Sequence, residues 1–319
     1  MISPRSPGLT VMTTTRYLEN SEVTLAYDVH GPLPTADGRP VMLMVGQPMG
    51  AEGFTTLAAL LPDRTAVTYD PRGIGRSVRH DGRDDHDPQV QAEDLHRLIT
   101  ALDTRPVEMF ASSGGAVTAL ALVTAHPEDV STLVAHEPPL LATLPDAEPA
   151  AAVWAAVQAA YHAHGTGHGM AAFIAMTSWR GEFTDAYVAQ PSPDPAAFGM
   201  PADDDGSRDN PLLSGAGNAV TTYVSDWDAL RAAPTRIVIA YGVESTDLFT
   251  GRTAVATARA LGQEPVEFPS HHGGFLDGTF GYAGQPEAFA ARLRDVLDQQ
   301  RDGSDQGPAT LGSLRTGVS

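Results

Sequence analysis

Residues 107–116 read VEMFASSGGA, a short apolar run followed at once by a turn of small residues and then by a helical segment. Ser113 stands in this turn, with small residues two positions before it and two positions after it. A strand-to-helix turn this tight strains the backbone and presents the serine hydroxyl above the edge of a sheet. The stretch therefore predicts a nucleophilic serine. A structural glycine-rich turn, or a phosphate-binding turn at the helix N-terminus, remains an alternative.

Around this turn, apolar strand patterns alternate with helical patterns. Residues 13–77 are predicted as strand, strand, strand, helix and strand, with 23–29 in a half-buried edge hairpin. The sequence further predicts strands at 41–45, 66–69, 107–110, 132–135, 236–240 and 266–268, and helices at 54–61, 89–102, 116–125, 252–261 and 286–297. Strands that alternate with helices of this length are joined by right-handed crossovers. We therefore expect an α/β fold with a mostly parallel sheet flanked by helices.

The alternation stops near residue 141 and resumes near residue 224. Between these points lie an alanine-rich helical stretch at 150–163 and a loop-like stretch at 191–217 that contains PSPDP and PADDDGSRDNP. A segment that interrupts a regular pattern is best explained as an insertion. The sequence thus predicts a core made of 13–140 and 224–300, a mainly helical cap at 141–223, and flexible termini at 1–12 and 301–319.

The amino-acid composition excludes several classes of catalysis and of binding partner. The chain has 319 residues and a formal net charge of −19, and its 20 basic residues are all arginines. The absence of lysine excludes Schiff-base and P-loop chemistry, and the absence of cysteine excludes thiolate catalysis and Cys-ligated metal sites. So acidic a surface would repel nucleic acid and anionic membranes, and neither is expected as a partner. No apolar run approaches the roughly 20 residues of a membrane helix, and no signal-peptide pattern is present, so we expect a cytoplasmic location.

Three more loops follow predicted strands and can supply groups around Ser113. Gln47 follows the strand at 41–45, and its backbone N–H can point to the same place as that of Gly114, which would form an oxyanion hole. The segment SHHGGF at 270–275 follows the last strand and can bring a histidine to the serine. YDPRGIGRS at 69–77 is interpreted as a structural loop held by its own charged side chains.

These segments, VGQPM, YDPRGIGRS, ASSGGA and SHHGGF, occur in the order found in the α/β-hydrolase superfamily, and the chain resembles that family over about residues 23–297 apart from the cap. The resemblance implies an α/β-hydrolase fold that works without a cofactor or a metal. It implies Ser113 as the nucleophile, His272 as the general base, and the amides of Gln47 and Gly114 as oxyanion donors. Ala111 replaces the glycine that the family often has two positions before the serine, and it still fits sterically.

The acid of the triad has three candidates. Glu244 and Asp247 lie in the loop after the strand at 236–240, which is the family's usual place. Glu137 lies in the segment HEPP, after the strand that follows the nucleophile helix, and can also reach a histidine near Ser113. In this segment the chain is similar to a subgroup that includes the fungal lactone hydrolases acting on zearalenone, whose acid is a glutamate in a His-Glu-x-Pro segment. This likeness favours Glu137.

Apolar residues that could contact a substrate are Met49, beside Gln47, and three cap residues, namely Trp154, Trp179 and Phe183. The histidines at 162, 164 and 168 have metal-like spacing, but a solvated cap loop explains them better.

Together the motifs predict a serine hydrolase that cleaves a small-molecule carboxylic ester or lactone through an acyl-enzyme, with a Ser-His-Glu triad. Two alternatives use the same pocket. One is a non-hydrolytic enzyme of this fold, such as a lyase, a cyclase or a cofactor-independent oxygenase, and the other is a ligand-binding module.

Overall fold

The computed structural model describes residues 12–299 of the chain. Its strands are Thr13–Glu19 (β1), Val23–His30 (β2), Met42–Val45 (β3), Ala66–Tyr69 (β4), Val78–Arg79 (β5), Val107–Ser112 (β6), Val130–His136 (β7), Arg236–Gly242 (β8) and Val266–Phe268 (β9). Its α-helices are Thr55–Ala59 (α1), Pro88–Leu102 (α2), Gly114–Ala125 (α3), Ala147–His164 (α4), Thr166–Ser178 (α5), Asp185–Val188 (α6), Asn218–Thr221 (α7), Trp227–Ala232 (α8), Phe249–Leu261 (α9) and Pro286–Asp298 (α10). Short 3-10 helices lie at Ala51–Phe54, Leu141–Thr143, Pro195–Phe198 and Val243–Ser245.

The strands form one sheet in the order β1-β2-β4-β3-β6-β7-β8-β9, and β5 pairs with β2. β2 is antiparallel to β1, β4 and β5, whereas every pair from β4 through β3, β6, β7 and β8 to β9 is parallel. The predicted α/β fold with a mostly parallel sheet is therefore confirmed. Because the parallel strands share one direction, the loops after β3, β6, β7, β8 and β9 meet at the same edge.

The central strands β3, β4 and β6 are buried on both faces, as their continuous apolar runs predict. Along β6, Met109 and Ala111 pack into one cluster with helices α2, α3 and α9, while Phe110 between them packs into a second cluster with α1 and α10. Helix α3 is buried along most of its length, from Gly114 to Val123. The strand before Ser113 and the helix after it are thus both packed in the core.

The segment between β7 and β8 has a separate apolar cluster, built from α4, α5 and the adjoining loops. We propose that residues 141–223 form the cap. Met12, at the start of the described residues, is exposed, and the rest of the predicted flexible termini lies outside the described residues.

The structure differs from the sequence-based expectation in one part of this cap. Residues 162–168 are not a solvated loop but the junction of α4 and α5, which meet at Gly165 with a φ of 85°. Glycines lower the helix propensity of this stretch, but α5 needs them for close packing. A Cβ on Gly169 would lie 2.6 Å from the Cβ of Tyr161 on α4.

Candidate active site

The turn between β6 and α3 has the strained backbone that its sequence predicts. Ser113 has φ 56° and ψ −130°, a region that residues with a side chain rarely occupy. Its backbone N–H donates to the carbonyl oxygen of His136 at 2.9 Å, which fixes the turn to β7. A Cβ on Gly115 would lie 2.5 Å from the carbonyl oxygen of Val45, so only glycine allows α3 to start this close to β3.

The same close approach brings two backbone amides together. A Cβ on Gly114 would lie 3.0 Å from the side chain and from the carbonyl oxygen of Gln47. Gln47 and Gly114 are both buried, and both line one cavity with Ser113. Among the hydrogen bonds of residues 12–299, neither backbone N–H has an acceptor, so both remain available to a ligand. The structure places both predicted oxyanion donors beside the serine.

Glu137 is fully buried at the end of β7 and is the residue that contacts His272. Its Oε2 lies 2.6 Å from Nδ1 of His272, and its Oε1 accepts the backbone N–H of Gly242 at 2.8 Å. The backbone N–H of Glu137 donates to the carbonyl oxygen of Ala240 at 2.9 Å. Glu137 has a φ of 49°, an unusual value for a residue with a side chain, so this turn is also held in place by its neighbours.

The environment keeps the Glu137 carboxyl ionised. Burial by itself raises the pKa of a carboxyl, but the hydrogen bond and the favourable electrostatic interaction with His272 outweigh this and lower the pKa of Glu137 to about 2. The carboxylate therefore fixes the imidazole of His272 through Nδ1, so that Nε2 is the ring nitrogen left for another partner. His272 is about one-third exposed, and it lines the same cavity as Ser113.

The loop that carries His272 packs tightly on its surroundings. A Cβ on Gly242 would lie 2.6 Å from the carbonyl oxygen of Ser270, so a glycine at the end of β8 lets the histidine loop approach. His271, the neighbouring histidine, lies 2.9 Å through Nε2 from the carbonyl oxygen of Ala283, and its ring lies 4.0 Å from that of Tyr282. His271 therefore supports the loop, and His272 is the histidine of this pair that contacts Glu137.

The two alternative acids lie elsewhere. Glu244 is exposed on the 3-10 helix after β8, and its backbone N–H donates to the carbonyl oxygen of Ser270. Asp247 is exposed, and its carbonyl oxygen accepts the backbone N–H of Gly181. Neither carboxylate is within ion-pair distance of His272 in the described part of the chain. The structure thus brings His272 to Glu137 and not to these two residues.

A buried histidine beside this pair was not predicted. His136 is fully buried beside Glu137, its Nδ1 lies 3.3 Å from Oγ of Ser112, and its Nε2 has no hydrogen-bond partner among residues 12–299. Its ring stacks at 6.0 Å on that of His272. Burial lowers the pKa of His136 to about 4 despite the nearby Glu137 carboxylate, so the ring is neutral near pH 7. The sequence feature that could have pointed to His136 is its position next to Glu137 in the segment HEPP.

The loop at 69–77 has the structural role that its sequence indicates. Asp70 is buried and accepts the backbone N–H groups of Ala51 and Arg76. Arg72 is also buried and binds both oxygens of Asp94 at 2.6 Å. These contacts tie the loop after β4 to the 3-10 helix before α1 and to α2. The interpretation as a structural loop is confirmed.

A cavity of about 930 Å³ lies between the sheet edge and the cap. Most of its wall is apolar, as is usual for small-molecule sites. Ser113 and His272 lie on the core side of this wall, and Trp154, a predicted contact residue, lies on the cap side. Phe173, another aromatic residue of the cap, also lies on this wall, together with Met170, Ile174 and Leu212, which the sequence analysis did not select.

Three predicted contact residues are absent from the cavity wall. Met49 packs against the second core cluster and fills the space beside Gly53. Trp179 is exposed, and its Nε1 donates to the carbonyl oxygen of Glu182. Phe183 is buried in the cluster of the cap. In each case, packing within the core or the cap determines where the ring or thioether lies.

One group in the described residues has ligands spaced for a metal ion, namely His96, His126 and Asp129. The rings of His96 and His126 stack at 3.7 Å with an angle of 13°, so their in-plane lone pairs run side by side and do not converge. His96 already lies 2.6 Å from Asp129, and His126 lies 2.8 Å from Glu93. The group is a set of side chains already engaged in hydrogen bonds, and none of its members lines the cavity.

Comparison with known proteins agrees with this architecture. Residues 39–184 match the family model of the alpha/beta hydrolase fold. The uncharacterized hydrolase YraK of Bacillus subtilis is 28% identical over 268 residues, which cover 82% of this chain and 90% of that protein. A candidate epoxide hydrolase from Pseudomonas aeruginosa superposes with a TM-score of 0.63 at 18% identity, over 94% of this chain and 99% of that one. The enol-lactonase from Burkholderia xenovorans LB400 superposes with a TM-score of 0.58 at 16% identity, over 88% of this chain and 99% of that one.

The chain has the α/β-hydrolase fold, as its motifs predicted. The comparisons further support a hydrolase of this type. The narrower likeness to zearalenone lactone hydrolases stays a prediction. Among the described helices, none is both long and apolar enough to cross a membrane.

Proposed function

We propose that this protein hydrolyses a carboxylic ester or a lactone through an acyl-enzyme. The observation that carries the proposal is the hydrogen bond of 2.6 Å between Nδ1 of His272 and the buried carboxylate of Glu137, in the same cavity as the strained Ser113. A neutral imidazole oriented in this way accepts the serine proton at Nε2. The ionised Glu137 then stabilises the imidazolium that forms.

The steps follow from the positions of these groups. The hydroxyl of Ser113 attacks the substrate carbonyl while His272 takes its proton. The backbone N–H groups of Gln47 and Gly114 donate to the oxygen that becomes negatively charged. His272 returns the proton to the departing alcohol, and water then releases the acyl group from the serine by the same route in reverse.

The substrate class rests on the nucleophile and on the shape of the cavity. A hydroxyl stands at position 113, whereas epoxide hydrolysis in this fold requires a carboxylate nucleophile, so we do not extend the activity of the Pseudomonas neighbour to this chain. An ester or a lactone has a better leaving group than an amide. The Burkholderia neighbour is an enol-lactonase, so this fold also accommodates lactone chemistry. The apolar cavity suits a substrate with a bulky hydrocarbon part.

Labelling with a fluorophosphonate probe tests the proposal. Stoichiometric modification of Ser113 in the wild type, located by mass spectrometry, is expected, and Ser113→Ala should abolish it. Ser178→Ala is the matched control, because Ser178 lines the same cavity but does not lie in the strained turn. If the folded protein is not labelled, acyl transfer is excluded and a non-hydrolytic enzyme or a ligand-binding module becomes the better explanation.

A further inference from the structure

The cavity contains an uneven distribution of charge. The chain carries 39 acidic residues against 20 basic ones, yet no aspartate or glutamate is among the described residues of the cavity wall. Apart from His272, the one ionisable cation of the wall is Arg180, at the end of the cap helix α5. Because no carboxylate lies on the described wall of this cavity, the cavity favours a negatively charged ligand, which a carboxylate would repel.

Arg180 also differs from most arginines of the molecule. Most of the described arginines bind a carboxylate, as Arg72 binds Asp94 and Arg252 binds Asp146. Arg180, Arg16 and Arg259 are the described arginines for which no side-chain hydrogen bond or ion pair is found, and of these three only Arg180 lines the cavity. Its guanidinium therefore has its hydrogen-bond donors free for a ligand.

The backbone holds Arg180 at a defined place. Arg180 forms an isolated antiparallel bridge with Leu248, just before α9 of the core, and Gly181 donates to the carbonyl oxygen of Asp247 at 2.8 Å. These contacts attach the end of the cap helix directly to the core. The position of Arg180 relative to the sheet edge therefore does not depend on the cap loops.

Exposure places Arg180 at the mouth of the cavity. Arg180 is one of the exposed residues of the wall, with Ser178, Phe280, Gly281 and Tyr282, whereas Gln47 and Gly114 at the proposed oxyanion site are buried. A ligand that reaches from the mouth to Ser113 therefore has one end beside the guanidinium, its middle against apolar cap residues, and its other end at the serine.

We propose that Arg180 is a specificity-determining residue that binds a carboxylate of the substrate, so that the substrate is an ester or lactone with an apolar body and a remote carboxylate. This inference rests on the proposed function, because it assigns the reacting carbonyl to Ser113. Arginine binds carboxylates through two parallel N–H groups, which gives both orientation and affinity. The negative charges elsewhere on the surface are largely screened beyond about 8 Å at physiological ionic strength.

The first test uses two substrates of the same length. The 4-nitrophenyl monoester of suberic acid has a free terminal carboxylate, and its methyl ester has none. We expect the wild type to hydrolyse the carboxylate form with a kcat/KM about tenfold higher, mostly through KM, and Arg180→Gln to lose this preference. Arg259→Gln is the matched control, since Arg259 is equally exposed and unpartnered but lies away from the cavity, and it should keep the preference.

A second test does not depend on catalysis. Binding of octanoate and of octanamide is measured by isothermal titration calorimetry in the same three proteins. In the wild type and in Arg259→Gln, octanoate should bind about tenfold more tightly than octanamide. In Arg180→Gln, octanoate should bind no more tightly than octanamide.

The outcomes separate the two proposals. If the wild type hydrolyses both esters equally well, or if Arg180→Gln retains the preference, the role of Arg180 is wrong while the hydrolase proposal stands. Binding of neither octanoate nor octanamide also contradicts the role of Arg180. If octanoate binding depends on Arg180 but Ser113 is neither labelled nor required for hydrolysis, the carboxylate site stands and the proposed function fails.

Discussion

The sheet edge and the cap form opposite walls of one cavity, and they are built in different ways. At the sheet edge, backbone geometry positions the polar groups. Ser113 and Glu137 both have positive φ values, and hydrogen bonds to neighbouring strands fix both turns. In the cap, helix packing positions apolar side chains such as Phe173, and no strained residue with a side chain is described between 141 and 223.

This difference separates two kinds of sensitivity to mutation. We expect the groups at the sheet edge to act as a unit. Hydrogen bonds with Gly242, Ala240 and His136 hold Glu137 and Ser113 in place, and Glu137 in turn holds His272. Residues of the cap wall each contribute a part of an apolar surface. We therefore expect mutations at the edge to change the rate of the chemical step, and mutations in the cap to change which substrates bind.

The largest effect is expected for Ser113→Ala. Alanine fits the same turn, but the nucleophile is removed, so kcat/KM should fall by at least about a thousandfold, or about 4 kcal/mol of transition-state stabilisation. Steady-state hydrolysis of a 4-nitrophenyl ester measures this, and circular dichroism checks that the fold is retained. Retention of more than about one tenth of kcat would show that Ser113 is not the nucleophile.

Glu137→Gln should have the next largest effect. A glutamine is nearly the same size but cannot stabilise the imidazolium of His272, and it can leave the ring in the wrong tautomer, so kcat should fall by several orders of magnitude. Glu244→Gln, the matched control on an exposed carboxylate, should change kcat by less than about threefold. The reverse ranking would transfer the role of the acid to Glu244.

Phe173→Ala should have a moderate effect that is confined to substrate selection. Removing a half-buried ring from the cavity wall should raise KM for esters with bulky acyl groups by about tenfold, with little change for acetyl esters or for labelling of Ser113. Trp179→Ala is the control, because Trp179 is an aromatic residue of the same cap that lies outside the wall. A loss of labelling equal to the loss of activity would mean that Phe173 holds the fold rather than the substrate.

The smallest effect concerns the dependence of stability on pH at the sheet edge. The folded protein resists protonation of His136, whose pKa is lowered from 6.5 to about 4, while the unfolded chain accepts that proton near 6.5. The free energy of unfolding should therefore fall as the pH decreases from 6.5 towards 4. Protonation of Glu137, whose pKa is lowered from 4.5 to about 2, should decrease it further between pH 4.5 and pH 2.

Urea unfolding at a series of pH values can separate these contributions. His136→Phe places a ring that cannot titrate among the surrounding phenylalanines and should flatten the slope between pH 6.5 and pH 4.5. Part of the slope should remain, because burial also lowers the pKa values of His30 and His86. His164→Gln, a change at an exposed histidine, should leave the slope as in the wild type. An unchanged slope in His136→Phe would show that this histidine is not the group that resists protonation.

Much of the fold is predictable from local patterns. The strand at 66–69 has the predicted bounds, and the helix predicted at 286–297 spans Pro286–Asp298, because apolar runs and helical periodicity extend over whole elements. Helix α5 was not predicted, because its glycines locally favour a loop. The reason for these glycines is the close packing of α4 against α5, which the local sequence does not show. In that case tertiary packing outweighs local propensity.

In the site too, local sequence predicts some residues, and contacts between distant segments decide the others. The turn at Ser113 is visible in the sequence because its cause, a row of small residues, is local. The choice between Glu137 and Glu244 depends on Gly242 and on the approach of the histidine loop, which are contacts between distant parts of the chain. For the same reason the sequence could not tell which aromatic residues of the cap face the cavity. Phe173 lies on the wall and Trp179 does not, because the face that α5 turns to the cavity is set by its neighbours.

The contacts of Glu137 also have a consequence for synthesis of the chain. Its carboxylate accepts a hydrogen bond from Gly242, 105 residues later, and one from His272, 135 residues later. A ribosome-bound chain that ends within the cap already contains Ser113 but has neither of these donors, and closing loops of this length is costly in entropy. The contact between Glu137 and His272 therefore forms only after residue 272 has been made, so nascent or truncated chains that end earlier carry Ser113 without its proposed base.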